Sequence, residues 1–154
     1  MLYFSIPYEI QTAVKKESSL TGKSVRQIII EKLRGETVEK SFSPELKANL
    51  IKLDEMKLLK KNWNGNNAKP LPKKIINKAK ALIIDLQKQP QVFPTANNSI
   101  QIEFDGDNNS YLEFQVTKSK FLPYYKVDKT GKEVSGQILF SASEINKFVE
   151  DFYG

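Results

Sequence analysis

The sequence contains no cysteine and no histidine. The first absence removes disulfide frameworks, thiolate metal sites and cysteine nucleophiles. The second removes the imidazole base, the Ser-His-Asp triad and His-ligated zinc or iron. Catalysis would have to rest on carboxylates, Lys, Tyr or Ser, so a non-enzymatic protein without cofactor or metal is expected. No apolar run approaches the ~20 residues a membrane helix needs, and Met1-Leu2-Tyr3 lacks the charged-then-apolar order of a signal segment. A cytoplasmic protein with no membrane partner is the expectation.

The 154 residues are 40% hydrophobic and 27% charged, an ordinary balance for a folded chain. The net charge of +6 is unevenly spread. Residues 1–40 carry seven Lys/Arg against five Glu, and residues 41–90 carry eleven Lys against four acids. Residues 91–154 reverse the sign, with six Lys against nine acids. The basic middle either attracts phosphate or simply solvates exposed helix faces.

At the amino end, Leu2, Phe4 and Ile6 alternate with Met1, Tyr3 and Ser5, the period of a strand with one buried face. Pro7 ends the ladder and opens a helix, where its missing N–H costs nothing. Ile10, Ala13 and Val14 repeat at helical spacing, and Thr21-Gly22 ends that helix. Ser24 caps a second helix whose Ile28, Ile29 and Leu33 face inward, and Gly35 is expected to end it. One short strand and two short helices cannot enclose a core, so the unit needs a second copy.

This order resembles the ribbon-helix-helix family, to which the Arc, MetJ and CopG repressors belong. The resemblance covers residues 1–34. It rests on the turn Gly22-Lys23-Ser24-Val25, which is similar to the family's G-[RK]-S-x segment, and on Pro7-Tyr8-Glu9-Ile10, which is similar to its P-x-E-[VIL]. In that family, strands from two chains pair as a ribbon that enters the DNA major groove. The resemblance implies a homodimer, pairing further on double-stranded operator DNA. It implies that Tyr3 and Ser5, with Met1 at the edge, contact bases. Lys23, Ser24 and Val25 would hold phosphate at a helix N-terminus. Leu2, Phe4, Ile6, Ile10, Val14, Ile28, Ile29 and Leu33 would form the dimer core. The reading face departs from the family, since Tyr and Ser replace the usual Arg, Lys, Asn, Gln or Thr.

Residues 35–43 read as a linker, and residues 44–154 as an α+β domain that binds a partner or stabilises the assembly. Ser43-Pro44-Glu45 signals a helix with a stripe of Leu46, Leu50, Leu53, Met56, Leu59 and Trp63, ending near Asn62. A second helix is expected from about Pro72 to Lys88. The final third changes to period two, which predicts an antiparallel meander of about four strands. Those strands are Ile100–Phe104, Leu112–Val116, Phe121–Val127 and Gly136–Phe140. Ser141 and Glu144 predict a capping box for a last helix. The segment from Trp63 to Phe104 also resembles uncharacterised bacterial and mobile-element proteins, which carry no activity with them.

Three constellations compete with plain structural roles. Asp105-x-Asp107-x-Asn109 mimics a calcium loop, but Ser110 and Val116 stand where Gly and the bidentate Glu are needed, so a hairpin turn is expected. Glu103 and Glu113 fall opposite each other or two residues off, beside Gln101, Gln115 and Tyr111. That face suits a protein partner better than acid–base catalysis. Trp63 reads as a packing anchor. The aromatic set Phe121, Tyr124, Tyr125 and Phe140 reads as sheet packing or a dimer contact, since no Arg interleaves it. The functional expectation is a sequence-specific transcriptional repressor, of the antitoxin type if its partner is a toxin. The alternative is an inhibitor or adaptor that uses the ribbon only to dimerise.

Overall fold

The computed structural model describes residues 8–36 and 42–154, with side chains omitted at 33–36. The chain divides into two compact units, Met1–Phe42 and Ser43–Gly154. The described part of the first unit is a pair of helices, α1 (Tyr8–Thr21) and α2 (Val25–Glu36). Gly22, at φ +69°, turns the chain between them and donates its N–H to the Ser18 carbonyl at 3.0 Å. A side chain is strained at that φ, whereas glycine is not. The second helix continues through Gly35 to Glu36 rather than ending at the glycine. One glycine in a helix interior costs only about 1 kcal/mol relative to Ala.

The second unit is α+β. Helices α3 (Pro44–Met56) and α4 (Lys73–Ile84) precede five antiparallel strands, and α5 (Ala142–Tyr153) follows them. The strands are β1 (Gln91–Pro94), β2 (Ile100–Asp105), β3 (Tyr111–Val116), β4 (Phe121–Val127) and β5 (Glu133–Leu139). They lie side by side in chain order, a meander of five strands rather than four. The extra strand is β1, just past the expected end of α4 and outside the four expected strands. Only Val92 of its four residues is buried, too little for a period to show. The β3–β4 pairing runs from Tyr111↔Val127 to Phe114↔Tyr124 and stops short of Pro123, which has no N–H to give.

One face of the sheet holds the core. Val92, Ile102, Phe104, Leu112, Phe114 and Leu122 are buried there, with Ile75, Ile76, Ala79 and Ile83 of α4 and Ile145 and Val149 of α5 also buried. Phe148 of α5 stacks on Tyr124 and Phe114, with ring centroids at 4.9 and 6.0 Å. The expected stripe of α3 divides: Leu46, Leu53 and Met56 are buried, and the helix stops at Met56 rather than near Asn62. Helix α4 likewise stops at Ile84, and side chains from outside the helix take over the groups at its end. Gln89 donates to the Ile83 carbonyl at 2.8 Å, and the Gln87 N–H donates to Asn146 Oδ1 at 3.0 Å.

The caps divide as well. Ser43 Oγ accepts the Leu46 N–H at 3.1 Å, as its sequence context implies. Ser141 caps α5 with backbone only; Glu144, expected to complete a capping box, instead pairs with Lys147 at 2.9 Å. None of the described helices is long and apolar enough to cross a membrane.

Candidate functional site

In the first unit, the turn expected to hold phosphate is formed by Lys23, Ser24 and Val25, all exposed. Ser24 Oγ accepts the Gln27 N–H at 3.1 Å, the N-cap bond that starts α2. The Ser18 hydroxyl donates to the Lys23 carbonyl at 2.7 Å and so ties the end of α1 to the turn. Lys23 Nζ is 2.7 Å from Glu31 Oε2, and Lys32 Nζ is 2.8 Å from Glu17 Oε2.

Of the expected dimer-core residues, Val14 and Ile28 are buried and Ile29 is half-buried. Ile10 leaves 52% of its surface exposed. Met1, Leu2, Tyr3, Phe4, Ser5 and Ile6 lie outside the described residues, as does the side chain of Leu33. The expected linker lies partly outside them too.

In the second unit, the sheet face opposite the core carries the other candidate. Alternation along each strand sends Gln101, Glu103, Tyr111, Glu113 and Gln115 to that face, all of them half-buried. The register places Glu103 directly opposite Glu113, and Gln101 opposite Gln115. Glu113 lies opposite Tyr125 on its other side.

A small network fills the space between the two carboxylates. The Gln101 amide nitrogen is 2.5 Å from Glu103 Oε1, 2.7 Å from Glu113 Oε2 and 3.0 Å from the Tyr111 hydroxyl. Tyr111 donates its hydroxyl to Glu113 Oε2 at 2.5 Å. Two neutral donors therefore hold two anions in place. Each carboxylate has about four acceptor sites, so much of its capacity stays open.

The electrostatics keep the phenols protonated. Burial, then hydrogen bonding to Glu113 and Glu103, pushes the Tyr111 phenol far above its ordinary value. Burial, a hydrogen bond to Glu133 and the charges of Glu133 and Glu113 push Tyr125 up as well. Tyr111 is thus a fixed donor and not a proton acceptor. With Asp105 and Glu133, the face holds four carboxylates, and no outward position of the five strands carries Lys or Arg. Alternation and the register made the glutamate pair legible in sequence. The part played by Tyr125 was missed, because only the β3–β4 pairing brings it beside Glu113.

The remaining candidates are structural. Asp105–Ser110 is a hairpin turn, with a 3-10 turn at Asp107–Asn109 and both Asn108 and Asn109 at positive φ. Trp63 is half-buried and donates its indole N–H to the Lys69 carbonyl at 3.0 Å, closing a loop. Within that loop Asn62 and Asn64 accept the backbone N–H groups of Asn67, Asn66 and Ala68. The aromatic set separates: Tyr124 packs on the core side, Phe121 and Tyr125 stand on the other face, and Phe140 lies under Lys78 at 4.2 Å. No protein-family model, curated protein or solved structure matches the chain.

Proposed function

We propose that the chain is a homodimeric, sequence-specific DNA-binding repressor of the ribbon-helix-helix type, whose second unit binds a protein partner. The observation that carries this reading is the incompleteness of the α1–α2 pair. Among the described residues of the pair, Val14 and Ile28 are the buried apolar side chains, while Tyr8, Ile10, Leu20, Val25 and Ile30 stay exposed. A left-handed Gly22 and a Ser24 cap support the same reading, because they leave amides of the α2 N-terminus facing outward. Residues Met1, Tyr3 and Ser5 would then read bases from a two-chain ribbon, with Leu2, Phe4 and Ile6 beneath.

The partner would be a protein with a basic surface, and not a second nucleic acid. Four carboxylates on the open sheet face, with Lys52 over Phe93 and Lys120 over Phe121 only at its rim, repel phosphate and attract ammonium or guanidinium groups. Gln101, Glu103, Glu113 and Gln115 would form the centre of that contact. A toxin silenced by this face and repressed through the head would make the protein an autoregulating antitoxin.

A second reading, in which the head only dimerises an inhibitor or adaptor, draws on the Lys23–Glu31 ion pair. That pair occupies a cation that phosphate would otherwise use. Selection of bound sequences from a random DNA pool separates the two. Repression predicts an enriched half-site repeat and affinity that falls steeply with salt, by roughly 10³ or more between 50 and 200 mM for six or more phosphate contacts. Tyr3→Ala with Ser5→Ala should abolish the sequence preference and keep the dimer. An unenriched pool with a flat salt response would leave the dimerisation reading in its place.

A further inference from the structure

The two edges of the sheet are finished differently. The β1 edge is short, ends at Pro94 and is tied to α3: Asn49 donates to the Pro90 carbonyl at 2.8 Å, and Lys52 Nζ sits 4.2 Å over the Phe93 ring. The β5 edge runs for seven residues, Glu133 to Leu139, and contains neither Lys nor Pro. Only Ile138 in it is even half-buried, and Val134 and Leu139 expose 42% and 57% of their surfaces. Proteins ordinarily blunt such an edge with charge, proline, a bulge or a cover. Here Glu133, at one end of the strand, is its one charge.

The register shows which groups the edge offers. Phe140 donates its N–H to the Lys120 carbonyl, and Asp128 donates to the Lys132 carbonyl, so these pairs bond toward β4. Alternation then turns Val134, Gly136 and Ile138 toward β4 as well. The N–H and C=O groups of Glu133, Ser135, Gln137 and Leu139 point away from the sheet.

We infer that β5 pairs with β5 of a second copy, antiparallel about a two-fold axis at Gly136, to make one continuous sheet across two chains. About that centre the sequence Glu-Val-Ser-Gly-Gln-Ile-Leu matches apolar with apolar at Val134 and Ile138 and polar with polar at Ser135 and Gln137. Ser135 faces Gln137 of the other copy in a hydrogen-bonded pair, and Glu133 faces Leu139. Val134 meets Ile138 on the core side, where both gain cover. Outward groups must pair with outward groups, so the register can slip only in steps that keep this parity. The neighbouring registers oppose Val134 with Gly136 or Ile138 with Gly136, and bury less.

At the axis the two glycines approach most closely, as a non-hydrogen-bonded pair about 4.5 Å apart. The Tyr124 ring already covers Gly136, lying 2.9 Å from where a Cβ would stand, so the glycine has a packing reason to be there. The Glu133 carboxylates sit at opposite ends of the ladder and do not meet. This pairing is independent of the ribbon reading, because it concerns only residues of the second unit.

The test uses the full chain, whose lack of cysteine gives introduced thiols no competitor. Val134→Cys with Ile138→Cys should form a covalent dimer on mild oxidation, since facing Cα atoms of a non-hydrogen-bonded pair are within disulfide range. Within one chain the same two residues are four apart along a strand, roughly 13 Å, and cannot bond. Neither single variant should cross-link. Residue-resolved amide exchange supplies the second readout: Ser135 and Gln137 should gain about tenfold or more in protection as concentration rises, alongside the already protected Val134, Gly136 and Ile138. Outward amides that exchange freely at millimolar concentration would overturn the inference, whether the edge is bare or kept for another protein's strand. Single variants that cross-link as readily as the double would overturn the register and the two-fold with it.

Discussion

The two units of this chain bury very different shares of their apolar side chains. Among the described residues, twenty-two of the 24 buried hydrophobic residues belong to the second unit, and Val14 and Ile28 to the first. The exposed large hydrophobics run the other way: five of nine fall in the first unit, which is the shorter. A sheet with helices on one face closes a core by itself, whereas two helices of 14 and 12 residues cannot. The difference is the one that the proposed function draws on, in which the first unit completes its core with a second copy while the second unit closes its own.

The largest expected effect falls on the second unit alone. Phe114→Ala removes a fully buried ring that packs on Phe104, Tyr124 and Phe148. It should cost about 3–5 kcal/mol in denaturant unfolding of the second unit. If α1 and α2 melt with it, the two units are not energetically separate.

Next, Ile28→Ala takes away one of the two buried apolar side chains among the described residues of the first unit. A loss of about 2–5 kcal/mol there should, on the proposed function, dissociate the dimer and abolish DNA retention, with the second unit's unfolding midpoint unchanged. A smaller effect is expected at Glu113→Gln. Relieving a directly opposed like-charge pair should raise the second unit's stability by less than about 1 kcal/mol. The same change should weaken a basic partner, so stability and binding move in opposite directions. Calorimetric titration with a polylysine probe reads the second.

The smallest effect concerns Asp54, which hydrogen bonds from Lys57 and Lys80 hold below the ordinary carboxylate value of 3.8. Its oxygens lie 2.6 Å from Lys57 Nζ and 2.9 Å from Lys80 Nζ, joining α3 to α4. A lowered folded-state value means that the contribution is present above pH 3.8 and fades as pH falls through the folded value. Asp54→Asn should therefore remove a small part of the second unit's stability near pH 7 and progressively less as pH falls below 3.8, in thermal melts across a pH series.

What the sequence disclosed follows from how local each feature is. The hairpin of β2 and β3 was readable because alternation and a six-residue turn fix the register, and Glu103 does face Glu113. The Ser43 cap and the Gly22 turn were readable because each is settled within four residues. The strand β1 was hidden, since its pairing with β2 and its cover by α3 are tertiary facts. The end of α4 was placed too late because Gln89 and Asn146 close it from outside the helix, whereas α3 gives way to local three-residue turns at Lys57–Leu59. The matching of Val134 with Ile138 and Ser135 with Gln137 was written in the residues of β5, but it carried no meaning until the sheet showed that β5 is an edge.

The most direct measurement of the difference between the units is amide exchange of the full chain across a dilution series. Protection of the α1 and α2 amides is expected to fall as the chain is diluted, while the amides of β2 and β3 keep theirs throughout. Helices α1 and α2 that stay protected at the lowest concentration, or β2 and β3 amides that open together with them, would contradict it.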